Sequence, residues 1–512
     1  MLWTDKAKKY LKKYWNIDEL KPKQIEVINE ILHGNDVIGL LPTGYGKSMC
    51  YFIPPLVCRK VMIIISPLIA LMDDQKIALL EKGIACSALH CNNKHKDEEI
   101  NDIIDGKIKI VYMSPEYLVK GNGKELVGIL IDNDKLGFVA VDEAHCISSW
   151  SHDFRPEYKY IGEFRKLYPN NNIPMIALTA TATDYVCGDI KTSLGLNNPK
   201  VIKASFDRPN LYIKACEMPT TIAIVRKKTV MKAVNKVDLI QHYIDKYKDQ
   251  RIIIYINSRK DTDELANDIN VNNTCRAYHA GLSSKIRDEI HNQFASGKIN
   301  IIISTIAFGM GIDMIIKCVI IFGCNSSIEE YVQQCGRAGR DGLPAETILY
   351  FDKSQYMVKK HMIKKTVSSP ELYKTKIENL SKVWEYIYTI TCKRKQVLEY
   401  FNEATNYITC NSCDNCCEQK LIDMTHKFSE IIFKTNNIST AFTEIREKYL
   451  ISDIKNLMNI LWRWKIYITN NKLDVNNLSV KYRLRFPISC IKNNTISETI
   501  DEKLDKYTKL YL

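Results

Sequence analysis

Residues 37–48 read VIGLLPTGYGKS, and we interpret the remainder of the sequence from this segment. Its apolar start, Val37–Leu41, predicts a buried β-strand. The Pro-Thr-Gly-Tyr-Gly turn that follows exposes successive backbone N–H groups, and an amphipathic helix is predicted to begin directly after it. Because a helix N-terminus carries the positive end of the helix dipole, such a turn is suited to cradle phosphate oxygens. An ordinary glycine-containing turn is the alternative, which the Lys-Ser pair at 47–48 disfavours.

The turn at residues 42–48, called the phosphate turn below, predicts a site for ATP and Mg²⁺. The backbone of Thr43, Gly44 and Gly46 would surround the phosphates. Lys47 would place a full positive charge on the β- and γ-phosphates, and the Ser48 hydroxyl would be a ligand of Mg²⁺.

Apolar segments of strand length recur along the first two-thirds of the chain and alternate with helical stretches. The earlier ones are Val61–Ile65, Ile108–Met113, Phe138–Val141 and Pro174–Leu178. The pattern starts again with Arg251–Ile256, Cys275–Tyr278, Ile299–Ile303, Cys318–Phe322 and Glu346–Phe351. Buried strands that alternate with helices indicate parallel sheets. We therefore predict two α/β lobes, residues 1–206 and 207–352, joined by a linker within Phe206–Asp238.

Composition limits the class of the protein. The chain has 512 residues, and Lys plus Arg number 72 against 59 Asp plus Glu, so the net charge is +13. This excess suits a polyanionic partner, although solvated lysine-rich faces are common. No apolar run reaches the ~18 residues of a membrane span, and Met1–Trp15 lacks the apolar core of a secretory signal. We therefore expect a soluble intracellular protein with no membrane partner.

A predicted strand delivers two carboxylates to its own end. The apolar run GFVAV, residues 137–141, is followed by Asp-Glu-Ala-His at 142–145. Ligands bind beyond the carboxyl ends of strands in open α/β sheets. Asp142 would hold Mg²⁺ through water, and Glu143 would orient and deprotonate the attacking water. Two solvated loop acids are the alternative, which the phosphate turn disfavours.

Two arginines in the second lobe complete the predicted catalytic set. Arg337 and Arg340 follow Gln333 in an apparent helix and its C-terminal turn, where one helical face could offer both guanidinium groups. A cation that reaches the γ-phosphate across a cleft stabilises charge in the transition state. A surface arginine pair beside turn glycines is the alternative.

A cysteine cluster follows the second lobe. Its candidate ligands are Cys392, Cys410, Cys413 and Cys416. Cysteines two residues apart let one tight loop chelate a metal, so the spacing predicts a closed, structural Zn²⁺ site with four cysteine ligands. The adjacent Cys417 leaves the identity of the fourth ligand open, and a merely reduced cysteine-rich loop is the alternative.

Over about residues 10–417 these motifs resemble those of the RecQ family of superfamily 2 DNA helicases. The most specific segment is HCISSWSHDFRP, residues 145–156, which is similar to the aromatic-rich loop that this family carries after its Asp-Glu-Ala-His box. By this resemblance, Trp150 and Phe154 would stack on bases of a single strand, and Arg155 would add charge. Two buried core aromatics are the alternative.

Further segments share this resemblance. They are KPKQ at 21–24, SPLIALM at 66–72, SPE at 114–116, LTATA at 178–182, YHAGL at 278–282 and STIAFGMGID at 304–313. The resemblance implies nucleotide contacts for Lys21, Gln24, Asp313 and Gln333, and DNA contacts for Ser66 and His279.

The implied architecture is α/β, with two tandem RecA-like parallel-sheet lobes. A helical zinc-binding module at residues 353–420 and a small domain at 421–512 follow; for the latter, a divergent winged helix and a generic helical cap both remain open. The implied activity is 3′→5′ DNA unwinding driven by Mg·ATP hydrolysis, in replication, repair or recombination.

The implied partners are single-stranded and forked duplex DNA, together with single-strand-binding or repair proteins, in the nucleus or wherever DNA is replicated. Two other functions remain open. One is an ATP-dependent RNA helicase, and the other is an ATP-gated nucleic-acid-binding or annealing protein that does not unwind.

Overall fold

The computed structural model describes most of the chain up to residue 417. The described residues are 3–93, 95–148, 155, 157–158, 161–167, 173–218, 220–225, 228–269, 274–309, 314–367, 369–389, 391–417, 421–423, 431, 434, 440–441, 443–445 and 485–487. The chain divides into two compact units, which are described separately: Met1–Ile387 with Val397–Ala404, and Tyr388–Gln396 with Thr405–Leu512.

Seven strands form the sheet of the first lobe. They are β1 (Val37–Leu40), β2 (Val61–Ile65), β3 (Cys86–Leu89), β4 (Ile110–Met113), β5 (Leu136–Val141), β6 (Met175–Thr179) and β7 (Lys200–Lys203). All pair in parallel, in the order β3-β4-β2-β5-β6-β1-β7. Alternate side chains of β1 enter different apolar clusters, Ile38 and Leu40 on one face and Val37 on the other. Because both faces are buried, the inner strands appear as continuous apolar runs.

Nine helices and one 3₁₀ turn are described in the first lobe. They are α1 (Trp3–Trp15), α2 (Pro22–Leu32), α3 (Met49–Cys58), α4 (Ile69–Glu81), α5 (Lys96–Ile104), α6 (Pro115–Lys120), α7 (Gly123–Asp132), the 3₁₀ turn Ala144–Ile147, α8 (Ile161–Leu167) and α9 (Asp184–Ser193). The prediction that helix α3 is amphipathic is wrong. It is buried on nearly every side because α1 and α2 pack on it through Ile53 and Val57.

The second lobe contains a second parallel sheet. The strands of this lobe are β8 (Leu211–Glu217), β9 (Thr220–Val225), β10 (Lys228–Ala233), β11 (Ile252–Ile256), β12 (Cys275–Tyr278), β13 (Ile301–Ser304), β14 (Cys318–Gly323) and β15 (Ala345–Phe351). Six of them pair in the order β12-β13-β11-β14-β15-β8, and β9 and β10 form an antiparallel hairpin.

The predicted linker at Phe206–Asp238 is wrong over most of its length. It contains β8, which pairs with β15 along its whole length, and the β9–β10 hairpin. Pro209 precedes β8 and does not interrupt it, because a proline cannot donate a ladder hydrogen bond and is tolerated outside a strand.

Six helices of the second lobe and its extension follow the strands in sequence. They are α10 (Lys236–Lys246), α11 (Arg259–Ile269), α12 (Ser284–Ala295), α13 (Ile328–Cys335), α14 (Lys353–Thr366) and α15 (Pro370–Ile387). Helix α15 ends at Ile387, and the next helix, α16, spans Lys393–Tyr400.

The second compact unit is described mainly around its cysteines. It contains α17 (Asp414–Cys417) and an antiparallel pair of short strands, β16 (Leu421–Asp423) and β17 (Arg485–Pro487). Most of residues 421–512 lie outside the described residues, so the winged helix stays a prediction. Among the helices that the structure describes, none is both long and apolar enough to cross a bilayer.

Candidate active site and metal centre

The phosphate turn lies between β1 and α3. Gly44 and Gly46 have φ values of 81° and 86°, a left-handed conformation that favours glycine. A Cβ atom at residue 46 would lie 2.7 Å from Nε2 of Gln24, and one at residue 44 would lie 3.3 Å from Cγ of Arg340. The turn thus needs glycine both for its backbone and for the side chains that approach it.

Gln24 and Lys21, predicted to contact the base, lie beside the phosphate turn. The Gln24 side-chain amide donates to the carbonyls of Tyr45 at 3.0 Å and Gly46 at 2.8 Å. The Lys21 ammonium donates to the Gly44 carbonyl at 3.2 Å and lies 4.8 Å above the Tyr45 ring. Burial, followed by the positive charge of Arg208, lowers the pKa of Lys21. Both side chains therefore hold the turn, and their contact with adenine stays a prediction.

The two predicted catalytic carboxylates follow β5 directly. The backbone N–H of Glu143 donates to Oδ1 of Asp142 at 3.0 Å, and Glu143 takes up a left-handed conformation with φ 46°. That conformation is uncommon for a residue with a side chain. Lys47 Nζ lies 3.5 Å from Oε1 of Glu143, and His145 Nδ1 lies 3.3 Å from Oε2. The structure thus brings the lysine of the phosphate turn to the second carboxylate.

The surroundings of Asp142 and Glu143 shift the pKa values of the two carboxyls in opposite directions. Burial, and then repulsion by Glu143, raises the pKa of Asp142 to about 6. Burial also acts to raise the pKa of Glu143, but Lys47, His145 and Arg337 outweigh it and lower that pKa. These neighbouring charges favour the ionised form of Glu143.

The arginines lie in the segment Gly336–Arg340, called the arginine segment below, after α13 has ended at Cys335. The prediction that one helical face presents both guanidinium groups is wrong, because Gly339 takes up a left-handed conformation with φ 58° and the chain turns there. A Cβ on Gly336 would lie 3.1 Å from Cβ of Thr43. The arginine segment therefore contacts the phosphate turn. Gln333 is half-buried on α13.

The connector Ser205–Asn210 joins the two lobes. Its contacts with the candidate site were not predicted from the sequence. Arg208 donates to the carbonyls of Thr43, Ala338 and Gly339 at 3.1, 2.9 and 2.7 Å. A cleft of about 400 Å³ is lined by the phosphate turn, the connector and the arginine segment. The only sequence signal is Arg-Pro-Asn at 208–210, which falls within the predicted linker and resembles ordinary loop sequence.

The predicted DNA-binding residues are only partly described. Trp150 and Phe154, together with the predicted nucleotide residue Asp313, lie outside the described residues. Arg155 is half-buried, and its guanidinium donates to the Pro67 carbonyl at 2.6 Å. This bond ties Arg155, near the end of the aromatic-rich segment, to the SPLIALM segment.

Ser66 and His279 are both buried. The Ser66 side chain is fully enclosed, and Nε2 of His279 lies 3.0 Å from Oδ1 of Asp263. Neither side chain is exposed in this structure, so their DNA contacts stay predictions.

The four candidate zinc ligands lie together in the second unit. The Sγ atoms of Cys392, Cys410, Cys413 and Cys416 all lie within 4.8 Å of one another. Four thiolates about 2.3 Å from one Zn²⁺ ion would be separated by about 3.8 Å, so the cluster is compact enough to fit the ion. Backbone N–H groups donate to two of the sulfurs, from Lys395 to Cys392 and from Ser412 to Cys410, each at 3.4 Å. Cys417 is exposed and outside this group.

Three protein families match consecutive parts of the chain. The DEAD/DEAH box helicase family matches residues 21–188, the helicase conserved C-terminal domain matches residues 235–342, and the RecQ zinc-binding family matches residues 353–417. The first match contains the phosphate turn and both carboxylates, and the second contains the arginine segment.

Curated relatives extend over about four-fifths of the chain. A protein of Acanthamoeba polyphaga mimivirus, provisionally described as an ATP-dependent RNA helicase, is 40% identical over 80% of this chain and 72% of its own length. The ATP-dependent helicase SGS1 of Saccharomyces cerevisiae is 37% identical over 81% of this chain and 28% of its own. The ATP-dependent DNA helicase RecQ of Haemophilus influenzae is 34% identical over 84% of this chain and 66% of its own length. Apart from the viral protein, these relatives are matched over two-thirds of their length or less.

Solved structures share the fold. The Mycobacterium smegmatis helicase Lhr, solved with single-stranded DNA and AMP-PNP, is 17% identical, with a TM-score of 0.53 over 71% of this chain and 49% of that one. The DUF1998 helicase MrfA, solved with DNA, is 19% identical, with a TM-score of 0.54 over 74% of this chain and 56% of that one.

The two lobes have parallel sheets, and arginines of one lobe lie against the phosphate turn of the other. With the two helicase family matches, this arrangement identifies a superfamily 2 helicase. The zinc-binding match and the curated relatives narrow this class. The chain belongs to the RecQ family of that superfamily. The family and the α/β fold class predicted from the sequence are thereby confirmed.

Proposed function

We propose that the protein is an ATP-dependent DNA helicase that moves 3′→5′ along a single strand and unwinds duplex DNA. One observation carries the proposal: the arginine segment of the second lobe lies against the phosphate turn of the first, and Nζ of Lys47 in that turn lies 3.5 Å from Oε1 of Glu143. A nucleotide in that cleft would touch both lobes, so its hydrolysis would change how the lobes are held together.

The proposed roles follow from the charges of the site. Lys47 binds the β- and γ-phosphates, Glu143 orients water and takes its proton, and Arg337 and Arg340 stabilise the charge of the transferring phosphoryl group. Thr43, Gly44 and Gly46 offer backbone N–H groups to the phosphates. Lys21, Gln24, Asp313 and Gln333 are proposed to complete the nucleotide contacts.

Mg²⁺ is proposed to be held by the Ser48 hydroxyl and the Asp142 carboxylate. Both are oxygen donors, which this hard cation prefers, and Asp142 is buried beside the phosphate turn. When bound, the cation neutralises phosphate charge and favours the ionised form of Asp142.

The protein uses Zn²⁺, and the ligands are proposed to be Cys392, Cys410, Cys413 and Cys416. We expect Cys413→Ser to release the metal, measured as zinc per chain after gel filtration. Cys417→Ser, the matched control, should keep about one zinc per chain. If Cys417→Ser loses zinc while Cys416→Ser keeps it, the proposed fourth ligand is wrong.

DNA is favoured over RNA as the substrate by the RecQ zinc-binding match and by the aromatic-rich segment at 145–156. Trp150, Phe154 and Arg155 are proposed to hold single-stranded bases and their backbone, with Ser66 and His279 as further contacts. The viral relative's description makes an RNA helicase the second candidate.

The proposed setting is DNA replication, repair or recombination, wherever DNA is replicated, with the nucleus as one candidate compartment. Forked duplex DNA and single-strand-binding or repair proteins are the proposed partners. We also propose the division into lobes at 1–206 and 207–352, a zinc module at 353–420 and a last domain at 421–512.

One comparison of rates tests the function. ATP turnover is measured with single-stranded DNA, with RNA and with no polymer, in the wild type and in Glu143→Gln, alongside unwinding of forked duplexes with 3′ or 5′ tails. We expect single-stranded DNA to stimulate ATP turnover most and the wild type to unwind 3′-tailed forks. The Glu143→Gln variant should neither turn over ATP nor unwind forks. Stronger stimulation by RNA would favour the second candidate. ATP binding without unwinding of any fork would instead indicate an ATP-gated binding protein.

A further inference from the structure

The connector Ser205–Asn210 is placed to bear on both halves of the ATP site. It lies between β7, the edge strand of the first sheet, and β8, the edge strand of the second. Its arginine, Arg208, lines the same cleft as Thr43 and Arg340. None of the roles assigned above belongs to this residue.

Arg208 bonds to both lobes at once. Nη1 donates to the carbonyl of Thr43 in the phosphate turn at 3.1 Å, and Nη2 donates to the carbonyls of Ala338 and Gly339 at 2.9 and 2.7 Å. A guanidinium group is rigid and planar, so its two ends fix the separation of the groups that accept from them. The Arg208 side chain therefore sets the position of the arginine segment relative to the phosphate turn.

The backbone around Arg208 is itself held in place. Phe206 stacks on Phe401, with ring centroids 4.3 Å apart and planes 10° from parallel. The Glu403 carboxylate accepts from the Phe206 backbone N–H at 2.8 Å and from the Ser205 hydroxyl. Two residues after Arg208 along the chain, Asn210 donates to the carbonyls of Gly339 and Leu343 at 2.8 and 2.9 Å. A braced backbone makes Arg208 a fixed point rather than a flexible surface side chain.

We infer that Arg208 is a positioning residue for ATP hydrolysis, which holds Arg337 and Arg340 in register with the phosphate turn across the two lobes. This inference rests on the ATPase activity proposed above. Arg208 acts through the arginine segment and not on the nucleotide, so it is needed for the rate of hydrolysis more than for the binding of ATP.

The test compares kcat and KM for ATP in the full-length chain, with saturating single-stranded DNA, for the wild type, Arg208→Ala and Arg208→Lys. We expect kcat to fall about 10- to 100-fold in both variants, as is typical when reacting groups are slightly misplaced, with KM nearly unchanged. Lysine should not rescue kcat, because one ammonium point cannot span the Thr43 carbonyl and the Gly339 carbonyl as a guanidinium fork does.

The matched control is Arg251→Lys. Arg251 also donates to two backbone carbonyls, of Phe294 at 2.9 Å and Ala295 at 2.7 Å, but both lie in the second lobe and away from the cleft. We expect this variant to keep both kcat and KM. A second variant, Glu403→Gln, weakens the brace without touching the cleft and should lower kcat by less than the Arg208 variants do.

Each outcome bears on one claim. Unchanged kcat in Arg208→Ala would overturn the inference while leaving the proposed function intact. A raised KM that Arg208→Lys restores would overturn it too, because it would make Arg208 a direct phosphate ligand. If the wild type itself does not hydrolyse ATP, the proposed function fails first. The thermal unfolding midpoint of each variant shows whether a lost rate reflects loss of the fold.

Discussion

The two sheets of this protein have the same strand order but different chemistry. Strands β3-β4-β2-β5-β6-β1 of the first lobe correspond, one by one, to β12-β13-β11-β14-β15-β8 of the second, and β7 is an extra edge strand. After β1 the chain forms the phosphate turn, whereas the hairpin β9–β10 follows β8. After β5 come Asp142 and Glu143, whereas Cys324 and Asn325 follow β14. The scaffold is repeated, and the loops that follow the strands carry the function.

The proposed catalytic residues of the second lobe lie in a different place from those of the first. Its arginines come after α13, and they reach the first lobe because Gly336 allows the close approach to Thr43. This difference supports the proposal that one lobe binds the phosphates and the other completes the site. Matched substitutions in the two lobes test this proposed division of roles.

Among the matched substitutions in the two lobes, the largest expected effect is on catalysis and comes from the lysine of the phosphate turn. Lys47→Ala should lower ATP turnover about 10²- to 10³-fold, because a preorganised charge at the phosphates is lost. The matched control is Lys353→Ala. Lys353 pairs with Glu217 at 3.2 Å, at the end of β8, the counterpart of β1. Equal losses in both variants, measured as steady-state turnover, would contradict the division of labour.

A stability effect is expected at the residue before the first strand of each sheet. Asp36 is buried and accepts from Arg165, from the Met175 N–H at 2.9 Å and from the Asn197 N–H at 2.6 Å. Asp36→Ala should lower the free energy of unfolding by about 3–5 kcal/mol, since it leaves a partly buried guanidinium without its anion.

Asn210 occupies the same place before β8. Its amide donates to two neutral carbonyls, and its Oδ1 accepts one long hydrogen bond, 3.4 Å, from Nε of Arg208. Asn210→Ala should therefore cost only about 1 kcal/mol. Urea unfolding of both variants, followed by circular dichroism, checks the difference. A larger loss in Asn210→Ala than in Asp36→Ala would show that the two positions are not equivalent.

The smallest effect is expected at a histidine–carboxylate pair that recurs in both lobes. His90, after β3, lies 2.9 Å from Asp73, and His279, after β12, lies 3.0 Å from Asp263. Only His279 belongs to a segment proposed to contact DNA. His279→Ala should weaken binding of single-stranded DNA about threefold, the size of one modest hydrogen bond, whereas His90→Ala should not. Fluorescence anisotropy at fixed salt measures both affinities, and equal values would assign both pairs to structure alone.

Much of the fold could be predicted because its decisive signals are local. The apolar run before the phosphate turn, the strand before Asp142 and the spacing of the cysteines are all read within a few residues. Strand β8 could not be predicted, because the prolines that precede and follow it in the sequence resemble those of a linker. The choice of Cys416 over Cys417 in the cluster needed geometry, because both fit the spacing.

The missing part of the site depends on contacts between distant residues. Arg208 bonds to Thr43 across 165 residues of sequence and to Ala338 across 130. No periodicity reports such a contact. The sequence predicts a catalytic role for the arginine segment but gets its helical geometry wrong, since the turn at Gly339 is a backbone property that spacing does not reveal.

The most direct test of the account is the rate of ATP cleavage by Arg340→Ala in a single turnover with bound single-stranded DNA. We expect ATP still to bind to this variant, because Lys47 and the phosphate turn are intact. Cleavage should slow at least about 10³-fold, as for other arginines that act on a transferring phosphoryl group. Cleavage at the wild-type rate would contradict the claim that the second lobe completes the site.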